Sequence, residues 1–203
     1  KADTMLTPST KLDAVNSLLT AVGEYPVSNI VDDVAEAQIA ISVIDEVSRE
    51  IQSRGWTWNT HRKATLTPDA YNNILIPTNV TRVDPTDVDG WHDRSKRFTI
   101  RNGKLFDMVK FTATFEDKEY ADMVYLWDFE DLPEEARRFI TLDAQQRYMT
   151  RVVGADADMA QVQQQATRAW IALEADDDLN ADRNILWDSP LSNYISSRHL
   201  GGY

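Results

Sequence analysis

The chain has no cysteine, which removes disulfide scaffolds, thiol nucleophiles and cysteine-ligated zinc or iron–sulfur centres together. Histidine is scarce as well. His61, His92 and His199 lie far apart, so no multi-histidine metal site and no metal cofactor is expected. Seven glycines leave no G-x-G-x-x-G or Walker-type phosphate loop. Neither G-x-S-x-G nor H-E-x-x-H occurs. No apolar run approaches the roughly 20 residues that span a bilayer. Lys1 to Thr10 lacks the apolar stretch of a signal peptide, so none is expected there. Positive charge is the minority sign: 21 Lys and Arg stand against 33 Asp and Glu, a net of −12. Such a surface is a poor general wrapper of nucleic acid, which needs clustered cations.

What remains is the composition of a folded protein, 42% apolar and 27% charged, with six tryptophans in 203 residues. That length supports one core, or a core plus a small inserted unit. Leu12, Val15, Leu19 and Val22 share a helical face, with Ser9 or Thr10 as cap and Gly23 as stop. A longer helix is predicted from Val34 to Arg54, opened by Asp33 and Glu36. Ala37, Ile41, Ile44, Ser48 and Ile51 carry its period, and Ile39, Val43 and Val47 widen its apolar side.

The pattern then changes to Thr, Val, Ile and aromatics broken by prolines. Phe98–Arg101 and Lys104–Asp107 flank Asn102-Gly103, which predicts a hairpin with a type I′ turn. Further strands are predicted over Lys110–Glu116 and Met123–Phe129, with weaker ones at Ile74–Ile76 and Val80–Val83. Trp56 and Trp58 are expected on one face of a strand. Helix returns near Leu132, with Asp131 as cap and Pro133 in the first turn, on a face of Ala136, Phe139, Ile140, Asp143 and Tyr148. Gly154 stops it. A last helix, capped by Asp156, carries Met159, Val162, Ala166, Ala169 and Leu173 and is expected to fray at Asp176-Asp177-Asp178.

The expected fold is therefore α+β: an antiparallel bundle of about four helices with a β-rich insertion between the second and third. Residues 1–55 and 131–183 make the bundle, 56–130 the insertion, and 184–203 an irregular docking tail. In that tail Trp187, Leu191, Tyr194 and Ile195 are candidate interface residues, because no regular element demands them. Arg94, Lys96, Arg97, Arg101 and Lys104 surround the hairpin. Arg97 and Arg101 are its candidate contacts with acidic surface on a neighbour.

Catalytic chemistry finds little support. Ser197 and His199 neighbour one another in the tail, where a solvated terminus explains them. Asp84 to Gly90 resembles half a calcium loop, but Pro85 and Lys96 stand where its essential ligands belong. Glu130, Asp131, Glu134 and Glu135 could supply a carboxylate pair for glycoside hydrolysis, and a capping role explains them equally well.

Five segments taken in order resemble one family. They are Leu12-Asp13-Ala14-Val15-Asn16 through Gly23-Glu24-Tyr25-Pro26-Val27-Ser28, then Ile51-Gln52-Ser53-Arg54-Gly55-Trp56-Thr57-Trp58-Asn59, and Leu66-Thr67-Pro68-Asp69. Asn102-Gly103-Lys104-Leu105-Phe106-Asp107 and Asp128-Phe129-Glu130-Asp131-Leu132-Pro133-Glu134-Glu135-Ala136 complete the series. Over about residues 10 to 175 the chain resembles the tail tubular protein A family of short-tailed bacteriophages, also called gatekeepers or head-to-tail adaptors. The resemblance implies a virion tail protein assembled in the host cytoplasm, in a ring of twelve subunits. That ring would sit between the portal protein and the tail nozzle protein (tail tubular protein B), with the genome passing through its lumen. It implies no catalytic residue and no cofactor. The alternative is a phage-borne glycan hydrolase using paired carboxylates.

Overall fold

A computed structural model describes residues 7–30, 34–154 and 159–188, with side chains as far as Ala181 in the last helix. The chain order is α1 (Lys11–Ala21), α2 (Ala35–Gln52), β1 (Thr60–Leu66), β2 (Val80–Thr86), β3 (Phe98–Arg101), β4 (Lys104–Asp107), β5 (Glu119–Tyr125), α3 (Glu134–Val152) and α4 (Met159–Asp188). The architecture is α+β, with the strand-rich region between α2 and α3 as expected. α3 is the central helix and packs on α1, α2 and α4.

Local chemistry fixes the first helix at both ends. The Thr10 hydroxyl accepts from the Asp13 N–H at 3.2 Å, and Asp13 Oδ2 accepts from the Thr10 N–H at 2.9 Å and its hydroxyl at 2.7 Å. This capping box satisfies donors that a helix start leaves free. At the other end Gly23 takes φ +83. There the Gly23 N–H reaches Thr20 O at 3.1 Å and the Glu24 N–H reaches Leu19 O at 3.0 Å, a Schellman closure.

The capping bonds from the Thr10 side chain, then its backbone, hold the Asp13 carboxyl below its usual range. A carboxyl depressed in the fold stabilises above its unfolded pKa and loses that contribution as pH falls through the folded value. Thr10→Ala is expected to cost about 1 kcal/mol at neutral pH. It should also flatten the acid side of a stability–pH curve measured by urea titration; a curve parallel to wild type would refute the Asp13 linkage.

Two cores result. Leu18, Leu19, Val43, Ile44, Ile140, Tyr148 and Leu173 are buried in the helical core. Leu66, Ile74, Val83, Leu105, Phe115 and Met123 are buried in the insertion. The insertion holds a three-stranded antiparallel sheet in the order β1-β5-β2 and the separate β3–β4 hairpin. The hairpin pairs Phe98 with Asp107 and Arg101 with Lys104 around Asn102 (φ 51) and Gly103 (φ 70), as the sequence predicts.

Several expectations need correction. Lys110–Glu116 is not a strand: Asp107 Oδ1 captures the N–H groups of Val109 (2.7 Å) and Lys110 (3.1 Å) and curls the chain. Trp56 and Trp58 lie in the turn before β1, not on it. The strand expected over Met123–Phe129 is β5, which starts earlier and stops at Tyr125; Phe129–Asp131 is a 3-10 turn. Ile74–Ile76 pairs with the hairpin through an isolated bridge, Leu75 to Lys104. Ile39 stands 45% exposed and does not extend the α2 core face. Val34 stands at the N-cap of α2 with no side-chain cap bond. α4 runs through Asp176-Asp177-Asp178 and past the expected end at residue 183, to Asp188. Part of the expected irregular tail is thus helix. The caps assigned to Asp33 and Asp156 lie outside the described residues.

Candidate assembly surfaces and the joint between them

The bundle and the insertion meet at a joint of buried polar groups. Gln52, in the last turn of α2, is 1% exposed. Its Oε1 accepts from the Trp127 N–H at 2.7 Å, and its Nε2 donates to Trp127 O at 3.0 Å and Ser48 Oγ at 2.9 Å. The amide therefore pairs with a peptide group after β5 as a strand neighbour would. Asn59 is buried beside it. Its Oδ1 accepts from the Trp56 N–H at 2.7 Å, and its Nδ2 donates to Gln52 O at 2.7 Å and Tyr125 O at 2.8 Å. Every polar atom of both amides is used, the condition under which such groups can be buried.

Other elements close the same joint. Trp56 stacks on Trp58 at 6.3 Å and meets Trp170 of α4 edge-on at 5.4 Å, while its indole N–H donates to Ile51 O at 2.8 Å. Arg82 of β2 donates from Nη1 to Ser53 O and Arg54 O, both at 3.3 Å, capping the carbonyl end of α2. Asp177 of α4 accepts from the Thr57 N–H at 2.8 Å and its hydroxyl at 2.5 Å. An aspartate predicted to loosen a helix end instead ties α4 to the joint.

Of the basic group around the hairpin, two members are used internally. Lys96 pairs with Glu119 at 2.6 Å, and Lys104 donates to Asn73 Oδ1 at 3.2 Å. Burial alone would draw the Lys96 ammonium down; the bond and charge of Glu119, with Asp93 and Asp107 adding, outweigh it and hold the group above the usual lysine value. Arg94 and Arg97 are exposed and line a cleft of about 460 Å³ with His92, Asp84, Phe98 and Val109. Arg101 is exposed too, with its guanidinium carbon 4.2 Å from the Phe106 ring centre and 5.6 Å from that of Phe111. Trp187 falls in the last turns of α4, where the backbone alone is described, and Leu191, Tyr194 and Ile195 lie outside the described residues.

The carboxylates of the hydrolase alternative have structural work. Glu130 accepts from the Lys11 N–H at 3.1 Å, and Glu134 accepts from the Ser9 N–H at 3.1 Å and its hydroxyl at 2.7 Å. They hold the start of α1 from across the chain, helped by Arg137, which donates to Ser9 O, Leu132 O and Glu130 O. In the calcium-like loop Asp87 Oδ1 accepts the N–H groups of Asp89 (2.9 Å) and Trp91 (2.8 Å). Among the described residues no group of three His, Asp or Glu is placed to hold a metal ion.

Sequence reasoning missed Gln52, Asn59, Thr57 and the role of Asp177. One signal was available: Ser48 and Gln52 fall on the apolar face of α2, and a polar residue at a core position asks for a partner.

The bundle and the insertion thus form one bonded two-part frame, with Arg101 exposed on the hairpin over its aromatic support. The sequence profile of the tail tubular protein family matches residues 12–182, and the chain belongs to that family. It is 29% identical over 158 residues to tail tubular protein A of Klebsiella phage KP34, a match covering 78% of this chain and 81% of that one. The protein is a structural component of a phage tail.

Proposed function

We propose that this tail protein is the head-to-tail adaptor. Twelve copies close into a ring that joins the portal protein to the tail nozzle protein (tail tubular protein B), and the ring's lumen forms part of the DNA ejection channel. The observation that carries the reading is the distribution of charge. Residues 56–130 hold ten Lys and Arg against twelve Asp and Glu, a net of −2, so the rest of the chain holds the other −10. A ring whose bundles present that acid to the lumen repels phosphates and lets the genome slide, by the electrostatics that make basic surfaces grip it. Lack of cysteine suits assembly in the reducing host cytoplasm.

The test is electron microscopy of the purified chain mixed with its portal and nozzle proteins. Closed rings stacked between the two are expected. A chain that stays monomeric with both partners present overturns the proposal.

A further inference from the structure

We infer that the outer face of the β3–β4 hairpin docks on the outer face of α4 in a second copy of this chain, where Arg101 takes the carboxylates of Glu174 and Asp178. The setting rests on the ring reading above; the pairing rests on two surfaces of unlike chemistry.

The first surface follows from register. Residues opposite one another on antiparallel strands share a face. Phe98 with Asp107 and Ile100 with Leu105 face the insertion core; Thr99 with Phe106 and Arg101 with Lys104 face away. The bridge from Leu75 to Lys104 adds Leu75, 66% exposed, to that outer face. Phe111 joins it from the next turn, 70% exposed and edge-on to Phe106 at 5.3 Å. Its φ is +54, a region bulky L-residues avoid, and the Asp107 turn holds it there. A strained backbone thus delivers an aromatic ring into solvent. Over the two rings lies the Arg101 guanidinium, whose hydrogen bond is to Met108 Sδ at 3.5 Å. Among the described residues its other donors have no hydrogen-bond partner, and stacking has already fixed its plane, the preorganised state that takes a carboxylate bidentately. Arg and aromatics are also the side chains that dominate protein interfaces.

The second surface lies on α4. Val162, Ala166, Ala169 and Leu173 face the core. On the outer side Ile171 and Leu179 are 60% and 64% exposed, with Ala175 between them. Glu174 and Asp178, one turn apart and exposed, border that strip. Among the described residues neither makes an ion pair. An apolar face with a free guanidinium therefore matches an apolar face with two free carboxylates. Because the patches differ, the contact is heterologous, and copies joined this way propagate until the rotation closes. DNA phosphates would satisfy Arg101, but they offer nothing to Leu75, Phe106 and Phe111.

The absence of native cysteine makes the test clean. Thr99→Cys and Ala175→Cys are introduced into the full chain, and complexes assembled with portal and nozzle proteins are oxidised mildly. Mixed single variants are expected to give covalent dimers, and the double variant a ladder of multimers. Arg101→Glu should cut the yield about tenfold, and Asp178→Arg in the same chain should restore it. Rings by microscopy with no cross-link above a Thr99→Cys and Glu24→Cys control overturn the pairing and leave the ring. No rings at all overturn both. A DNA duplex bound by wild type and released by Arg101→Glu, without cross-linking, makes the face a nucleic-acid contact and overturns the pairing.

Discussion

Asn59→Ala is expected to destabilise the chain by about 3 kcal/mol. The side chain is 2% exposed and makes three hydrogen bonds. Alanine leaves the buried Trp56 N–H and Tyr125 O without their Asn59 partners, while Gln52 O keeps the Gly55 N–H at 3.2 Å; each of the two orphaned groups costs about 1–3 kcal/mol. Local relaxation recovers part of that, so the lower half of the range applies. For a chain of 203 residues the corresponding fall in Tm is roughly 6–12 °C. Calorimetry of the purified variant reads it directly, and a fall below about 2 °C would show that Asn59 fills space and bonds nothing of consequence. Asn59→Asp separates the roles: it keeps the acceptor for Trp56 and replaces both donors with acceptors facing carbonyls, so it should be no better tolerated than alanine.

That joint is also where sequence reasoning reaches its limit. The β3–β4 hairpin was legible because its cause is local: two residues at positive φ, supplied by Asn102-Gly103, between runs that alternate. The burial of Val162, Ala166, Ala169 and Leu173 was legible from spacing alone. Lys110–Glu116 alternates just as well, yet the Asp107 carboxylate takes the N–H groups of Val109 and Lys110 at its start and turns it into a curl. Periodicity records which side chains prefer burial, and a competing side-chain acceptor can override the backbone form that periodicity suggests. The joint was illegible for a different reason. Thr57 meets Asp177 across 120 positions, and Gln52 meets Trp127 across 75. Nothing in either local segment announces the other. Of the candidate contacts, Arg97 and Arg101 are exposed, and the aromatic support beneath Arg101 depends on the unusual backbone of Phe111 and has no pattern of its own.

The acidic residues show the same division. Read as composition, 33 carboxylates are one fact about net charge. In the fold they do different things. Glu130 and Glu134 cap a helix start, Asp177 ties α4 to the joint, Glu119 holds Lys96, and Glu174 and Asp178 remain outside. Carboxylates already receiving backbone or lysine donors are poorly free to pair across an interface. Glu174 and Asp178 have no ion-pair partner among the described residues and border the exposed face of α4, which is why charge reversal at Asp178 tests assembly more sharply than reversal at Glu134.

Gly55→Ala is expected to cost about 2–3 kcal/mol, a large effect for one methyl group. Gly55 takes φ +82 as the chain leaves α2. A β-carbon there would stand 2.6 Å from Arg82 Nη2 and 3.1 Å from Val124 Cγ2. The backbone part of the cost, about 1–2 kcal/mol, comes from placing an L-residue in the left-handed region. The remainder arises because the guanidinium must withdraw, and with it go the bonds to Ser53 O and Arg54 O that close the end of α2. Gly23 provides the control. Its φ is +83, almost the same, but a β-carbon there meets nothing within 4 Å. Gly23→Ala should therefore show the backbone part alone, and the difference between the two variants, measured by urea titration, isolates the contribution of Arg82. In an Arg82→Ala background that difference should shrink toward zero. Equal losses at the two glycines in the wild-type background would mean that Arg82 contributes nothing to the joint. A ring contact made by the insertion needs the angle between insertion and bundle held fixed, so the same methyl group should also lower the yield of closed rings more than Gly23→Ala does.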